Sequence, residues 1–171
     1  RQPKAFAGHS LGEYSALCAA GAILFEDGVK LVNLRGKFMQ EAVLAGEGAM
    51  SALLGGDKKI IQEICAEIGN VWPANFNSPG QVVISGKKSS VAAAGEKLKL
   101  AGVKKVIPLA VSAPFHCPLM QPAADKLAAE LDKIKINDIT VPIISNVTAE
   151  KAYKGEEIKK LLVKQVTSPV L

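Results

Sequence analysis

The chain has 171 residues, of which 49% are hydrophobic and 22% charged, with a formal net charge of +5. An apolar share of that size, punctuated by 15 glycines and 9 prolines, excludes an intrinsically disordered chain and suits one core, or a core with a small appended unit. No apolar run reaches the length of a membrane span, and Cys18, Cys65 and Cys117, odd in number and far apart, argue against a disulfide scaffold or zinc cluster and for a reducing cytoplasm.

In chain order, the first feature is Gly8-His9-Ser10-Leu11-Gly12, a G-x-S-x-G pattern. It is the signature of a nucleophile elbow, in which a serine sits on a sharp strand-to-helix turn and its hydroxyl projects from the top of a sheet. The flanking glycines are expected to remove side chains that would collide as the turn closes. Lys4-Ala5-Phe6-Ala7 supplies a short buried strand, and Leu11, Tyr14, Leu17 and Cys18 recur at helical spacing up to Gly21. Amides at the start of that helix face any oxyanion formed beside Ser10. A second helix, capped by Asp27, buries Leu31, Leu34, Phe38 and Met39. It carries Arg35, which the spacing alone treats as a solvated side chain.

From Ala49 to Leu109 the punctuation becomes regular. A strand over 49–54 is followed by a helix capped by Asp57, which buries Ile60, Ile61, Ile64, Cys65 and Ile68. A strand over 71–76 has Pro73 marking an edge, and Asn77-Ser78-Pro79-Gly80 turns it into Gln81–Ser85. A helix from Ser89 or Ser90 to about Leu100 and a strand over Val103–Leu109 complete a β-α-β-β-α-β order, that of a ferredoxin-like unit. Such units often bind RNA, but the stacking aromatics are missing here, so a substrate lid or wall fits better.

After an irregular stretch through Ala110–Pro118 come a helix over 120–131, a strand over Val141–Val147 with the character of a buried parallel strand, and a helix carrying Ile158, Leu161, Leu162, Gln165 and Val166. The expected architecture is an α/β-hydrolase-like parallel-sheet domain with a nucleophile elbow, formed by 1–47 and 110–171 and interrupted by a ferredoxin-like subdomain over 48–109. Few residues precede Ser10, and an elbow needs neighbouring strands. The expectation is therefore an interior piece of a longer protein.

A serine hydroxyl needs a base. His9 adjoins Ser10 in the elbow, so its ring should diverge and pack beneath the turn. That leaves His116, bracketed by Pro114 and Pro118, as the base. No acid follows a main-domain strand between Ser10 and His116, the interval in which a hydrolase of this class keeps one. A Ser–His dyad therefore suits the order, its imidazole N–H held by a backbone carbonyl or a side-chain amide. Three functions remain open on these residues: acyl transfer, hydrolysis by a serine thioesterase or lipase-like enzyme, and a non-catalytic binding module. Lysine pairs such as Lys58-Lys59, Lys87-Lys88 and Lys104-Lys105 suit nucleic acid, an acidic protein or a phosphorylated cofactor, and with 5% aromatics there is little material for base stacking.

Taken together, Gly8–Leu17, Arg35-Gly36-Lys37-Phe38-Met39-Gln40, Asn75–Gly86, Ser112-Ala113-Pro114-Phe115-His116 and Ser145-Asn146-Val147 resemble the bacterial malonyl-CoA:acyl carrier protein transacylases, in that family's order and over essentially the whole chain. The resemblance implies a cytoplasmic S-malonyltransferase of fatty acid biosynthesis, monomeric when complete, with no resident cofactor or metal. Malonyl-CoA would be its substrate, and the phosphopantetheine thiol of acyl carrier protein the acceptor. It implies that Ser10 is acylated, that His116 is base and then acid, and that the Leu11 amide is half the oxyanion hole. It further implies that Arg35 binds the malonyl carboxylate and that the Gln165 main-chain carbonyl orients His116. Family members carry an early Gly-Gln-Gly-type segment for the other oxyanion amide, and a further C-terminal portion. Neither lies within these residues, so the piece alone is expected to be impaired.

Overall fold

The structure, a computed structural model, describes residues 3–111 and 113–171. Ser112, quoted in the motif before His116, lies outside them. The described residues form a mixed α/β fold with two principal cores and a small antiparallel sheet.

The first core is helical. α1 (Leu11–Ala19), α2 (Phe25–Glu41), α5 (Gln121–Leu131) and α6 (Gly155–Thr167) bury Tyr14, Leu17, Leu31, Met39, Leu127, Leu131, Ile158, Leu162 and Val166 around Ile143. The apolar stripes are those the helical period places on one face of each helix. α2 begins at Phe25 with Leu24 as its cap residue, so Asp27 lies in its first turn rather than capping it. Extended structure in this half is briefer than the sequence suggests. Among the described residues only Ile143–Ile144 (β5) pairs with Lys151–Ala152 (β6), antiparallel, and Phe6 makes a single parallel bridge to Ile143. That bridge is held by Phe6 N–H to the Pro142 carbonyl at 2.8 Å and Ile144 N–H to the Phe6 carbonyl at 2.8 Å. Apolar character over 141–147 therefore reports burial; the ladder runs only as far as backbone partners reach.

The second core belongs to β1 (Gly48–Leu54), α3 (Lys58–Ile68), β2 (Val71–Ser78), β3 (Gln81–Lys87), α4 (Lys88–Leu100) and β4 (Lys105–Pro108). The strands stand in the order β2-β3-β1-β4, all antiparallel. Strand periodicity divides their side chains between two faces. Leu53, Val82 and Ile84 pack under the helices with Ile61, Ile64 and Leu98, whereas Met50, Ala74 and Val83 meet Val111 and Phe115 on the other side. The sheet is thus buried on both faces, and its second face leans on the residue preceding His116. Asp57 caps α3 by accepting from the Lys59 and Ile60 amides. α4 starts at Lys88, just before the serines expected to open it, and β4 is shorter at both ends than Val103–Leu109. Pro73 lies on the outer strand β2, at the first of its two register irregularities. The free edge of β2 takes one parallel bridge from Val170. No helix among the described residues is long and apolar enough to cross a membrane.

The turn around Ser10 uses its two glycines differently. A Cβ on Gly8 would collide with the Gly12 carbonyl, while one on Gly12 meets nothing within 4 Å. The turn closes onto Gly8 alone. Gly12→Ala is therefore expected to be neutral or to stabilise by up to about 1 kcal/mol, the helix-interior preference for alanine, and Gly8→Ala to destabilise by several times that. Urea denaturation of the two variants checks the asymmetry, and equal losses would contradict it.

Candidate active site

Four segments remote in sequence converge on Ser10. It is the residue before α1 and carries φ 52° and ψ −105°, a backbone conformation that a non-glycine residue holds only when its surroundings over-determine it. Asn146, in the turn after β5, supplies much of that restraint. Its Oδ1 accepts from Ser10 N–H at 2.6 Å, its Nδ2 donates to the Gly8 carbonyl at 2.7 Å, and its own N–H donates to Glu13 Oε2 at 3.2 Å. One asparagine thus staples both limbs of the turn.

His116 also has positive φ, 57°, and is 4% exposed. Its Nδ1 lies 2.8 Å from the Gln165 main-chain oxygen. A carbonyl only accepts, so Nδ1 carries the hydrogen and Nε2 is left bare. Nε2 is 2.7 Å from Ser10 Oγ, positioned to accept the hydroxyl proton. Burial pushes the His116 imidazole down to about 4 from 6.5, with the charges of Arg35 and His9 acting the same way against the hydrogen bond to Gln165. The ring is therefore neutral at pH 7, the state a general base requires.

Arg35 lies on the apolar stripe of α2, between Leu31 and Met39, and is 6% exposed. Its Nη2 donates to Ser10 Oγ at 2.8 Å and to Gln165 Oε1 at 3.0 Å. Its guanidinium carbon is 5.6 Å from the centroid of the Tyr14 ring. Burial lowers its pKa, and the nearby Tyr14 and Glu13 oppose that; arginine remains a cation under such conditions. Gln165, fully buried on α6, also donates through Nε2 to the Ser10 carbonyl at 3.0 Å and to Glu13 Oε2 at 2.7 Å. The Leu11 amide is the first of α1, which no carbonyl of that helix reaches, and the Leu11 side chain is half exposed.

The structure thus brings Ser10, His116, Arg35 and Gln165 into one hydrogen-bonded group with the Leu11 amide at its rim. His9 departs from expectation: its ring does not pack beneath the turn but is exposed, with Nε2 3.0 Å from Asn77 Oδ1 on β2. Beside His116 a cleft of about 250 Å³, lined by Trp72, Pro73, Phe76, Pro118, Ser168 and Pro169, opens between the two cores. Sequence reasoning gave no role to Glu13 or Asn146. For Glu13 the available signal was a polar residue in a helical core stripe; Asn146, in a turn, carried none. Glu13 precedes Leu17 by one turn, as Leu31 precedes Arg35 and Leu162 falls one turn before Gln165 and Val166.

This geometry coincides with a sequence match. The acyl transferase domain profile covers residues 1–171. The chain belongs to the acyl transferase domain family. It is 54% identical over 173 residues to the malonyl CoA-acyl carrier protein transacylase of Escherichia coli (strain K12), covering 99% of this chain and 56% of that protein. It is 52% identical to the Bacillus subtilis (strain 168) protein of the same name, over 98% of this chain and 54% of the relative. Among solved structures, an acyl carrier protein S-malonyltransferase from Vibrio cholerae superposes with TM-score 0.97 at 50% identity, covering 99% of this chain and 56% of that one. A malonyl-transacylase in complex with its type II PKS acyl-carrier protein gives TM-score 0.96 at 50% identity, with 99% and 56% covered. The acyl transferase domain described here spans about half the length of the curated relatives it matches.

The depressed His116 value has a measurable sign. Since the folded value lies below the free one, protonation favours the unfolded chain. The imidazole's contribution to stability is present above pH 6.5 and is lost as the pH falls toward about 4. Proton NMR of the ring in the full chain, assigned with a His9→Asn variant, should give a midpoint near 4. A midpoint near 6.5 would contradict the buried, neutral ring.

Proposed function

We propose that this chain carries the reaction centre of a malonyl-CoA:acyl carrier protein S-malonyltransferase acting in fatty acid biosynthesis in the cytoplasm. The observation that carries this reading is the pair of groups on one hydroxyl: His116 Nε2 at 2.7 Å and the Arg35 guanidinium at 2.8 Å from Ser10 Oγ. The first suits a nucleophile, and the second suits an acyl group that ends in a carboxylate.

In the proposed reaction Ser10 Oγ attacks the malonyl thioester carbon while its proton passes to His116 Nε2. The Leu11 amide donates to the developing oxyanion. The C–S bond breaks and coenzyme A leaves as its thiol, with the proton from His116. The phosphopantetheine thiol of acyl carrier protein then attacks the malonyl-serine, its proton passing to the same imidazole and on to Ser10 Oγ as that oxygen leaves. The Gln165 carbonyl holds the Nδ1 hydrogen throughout, in the place an acid occupies in a triad. Arg35 pairs with the malonyl carboxylate through parallel charge-assisted hydrogen bonds, fixing where the thioester carbon lies. No resident cofactor or metal is required.

The same reading extends to the frame and the partners. Residues 1–47 and 110–171 constitute part of an α/β-hydrolase-like domain with Ser10 at its elbow. Residues 48–109 form an inserted ferredoxin-like subdomain; the β2-β3-β1-β4 order and its separate core support that label. The lysine-rich surface suits an acidic carrier protein, and the protein is monomeric when complete. Hydrolysis has no comparable support, because a thioesterase has no use for a buried cation on its nucleophile.

The expected signature is substrate-selective. Arg35→Ala should lower kcat/KM for malonyl-CoA by about 2–5 kcal/mol, the cost of truncating one partner of a buried charged pair, and should leave acetyl-CoA far less affected. Arg35→Lys should not restore the malonyl rate, since an ammonium cannot reproduce the fork. Both substrates are measured with this chain grafted in place of the matching stretch of the Escherichia coli relative. Equal slowing of the two would make Arg35 structural and remove the malonyl assignment.

A further inference from the structure

Every hydrogen-bonding group of Asn146 is engaged at or beside Ser10. Its Oδ1 accepts from Ser10 N–H at 2.6 Å and is approached by Gln165 Nε2 at 3.4 Å. Its Nδ2 donates to the Gly8 carbonyl at 2.7 Å. Its main-chain N–H donates to Glu13 Oε2 at 3.2 Å, and its main-chain carbonyl accepts from Leu171 N–H at 2.8 Å. The side-chain amide fits in one orientation only. A main-chain N–H can only donate and a carbonyl can only accept, so Oδ1 faces Ser10 and Nδ2 faces Gly8.

Register brings the asparagine there. Phe6 bridges Ile143 in parallel, and from that bridge the two segments run side by side until each turns, one at Ser10 and the other at Asn146. The groups that Asn146 binds belong to the two successive peptide units on either side of His9. The second of these units is the plane that defines φ of Ser10, which stands at 52°. The plane after Ser10 is held separately, by Gln165 Nε2 on the Ser10 carbonyl at 3.0 Å. A residue in so sparsely populated a conformation relaxes unless its surroundings hold it.

We propose that Asn146 is a positioning residue for the acylation of Ser10: by fixing the peptide plane before Ser10 it holds the strained φ that sets Oγ 2.7 Å from His116 Nε2. The proposal rests on the reading above, in which Ser10 takes up the acyl group. Without the two side-chain bonds, φ of Ser10 turns toward negative values and Oγ swings away from the imidazole with the Cα–Cβ bond. His116 keeps the Gln165 carbonyl, and Arg35 keeps Gln165 Oε1. The loss therefore falls on the rate of attack and is shared by all acyl groups, unlike the loss expected from Arg35→Ala.

The test follows Ser10 acylation by malonyl-CoA and by acetyl-CoA through intact mass of the full chain, over a range of donor concentrations. In Asn146→Ala the saturating rate should fall about 100-fold for both donors, the scale of a 1 Å misplacement. Half-saturating concentrations and the malonyl-to-acetyl ratio should stay as in the wild type. Asn146→Asp keeps an acceptor for Ser10 N–H but has no hydrogen for the Gly8 carbonyl, and should be slowed to a similar extent because both bonds are needed. Every chain should still label in the end. A merely structural role would instead leave a smaller fraction of chains labelling at the wild-type rate, and that result would overturn the proposal. So would a wild-type rate in either variant, or a loss confined to malonyl-CoA. If Asn146→Ala fails to fold by circular dichroism, the near-isosteric Asn146→Asp carries the comparison. A wild-type chain that takes neither acyl group on Ser10 would overturn the functional reading itself.

Discussion

Gln165 ties the site together. It lies within the last turn of α6, fully buried, where the helix has carbonyls without helical partners. One of them, its own, holds the imidazole of His116 at 2.8 Å. The side chain of the same residue reaches the Ser10 carbonyl, Glu13 and Arg35. His116, the Ser10 backbone and the Arg35 cation are therefore referenced to one residue on a rigid element. The α6 stripe of Ile158, Leu162 and Val166 is locked into the helical core, so the geometry at Ser10 inherits the precision of that packing.

Such referencing matters because two site residues are held against their own preferences. Ser10 at φ 52° and His116 at φ 57° each carry strain on the order of 1–3 kcal/mol, which persists only where neighbours leave no relaxed alternative. For Ser10 those neighbours are the two Asn146 contacts and the close approach of Gly8 to the Gly12 carbonyl. Around His116 they are Gln165 and the packing of Phe115 against the second face of the small sheet. The residues after α6 continue the linkage. Val170 exchanges hydrogen bonds with β2, through Phe76 N–H at 2.9 Å and the Ala74 carbonyl at 2.9 Å, and Leu171 N–H reaches the Asn146 carbonyl at 2.8 Å. The small sheet is thereby fastened to the turn that holds Ser10.

Much of this was legible in the residues, and the failures share a cause. Helices showed through apolar period, and the β-α-β-β-α-β order of 48–109 through regular glycine punctuation and the Asp57 cap. The elbow pattern and the scarcity of imidazoles drew attention to Ser10 and His116. What periodicity could not reveal was how far strands extend, because ladder length depends on partners elsewhere in the chain: 141–147 shrinks to two paired residues and Lys4–Ala7 to one bridge. Nor could it separate a buried polar side chain from a solvated one. Arg35, Glu13 and Gln165 all occupy core stripes, yet the cost of burying each is offset by hydrogen bonds among them and to Ser10 and Asn146. That compensation is three-dimensional, and the stripe position is its single trace in sequence. His9 was misplaced for a related reason: its partner, Asn77, comes from the other core.

The central claim is that Ser10, and no other nucleophile of the chain, takes up the acyl group. Cys65 and Cys117 are buried with thiols pushed up by desolvation, the first to about 12, which leaves them poor nucleophiles at neutral pH. The direct measurement is intact mass of the full chain after exposure to malonyl-CoA, followed by peptide mapping. The account predicts one added malonyl group, on the peptide containing Ser10, absent in Ser10→Ala and slow to form in His116→Ala. A label on Cys18 or Cys117, or one that persists in Ser10→Ala, would contradict it.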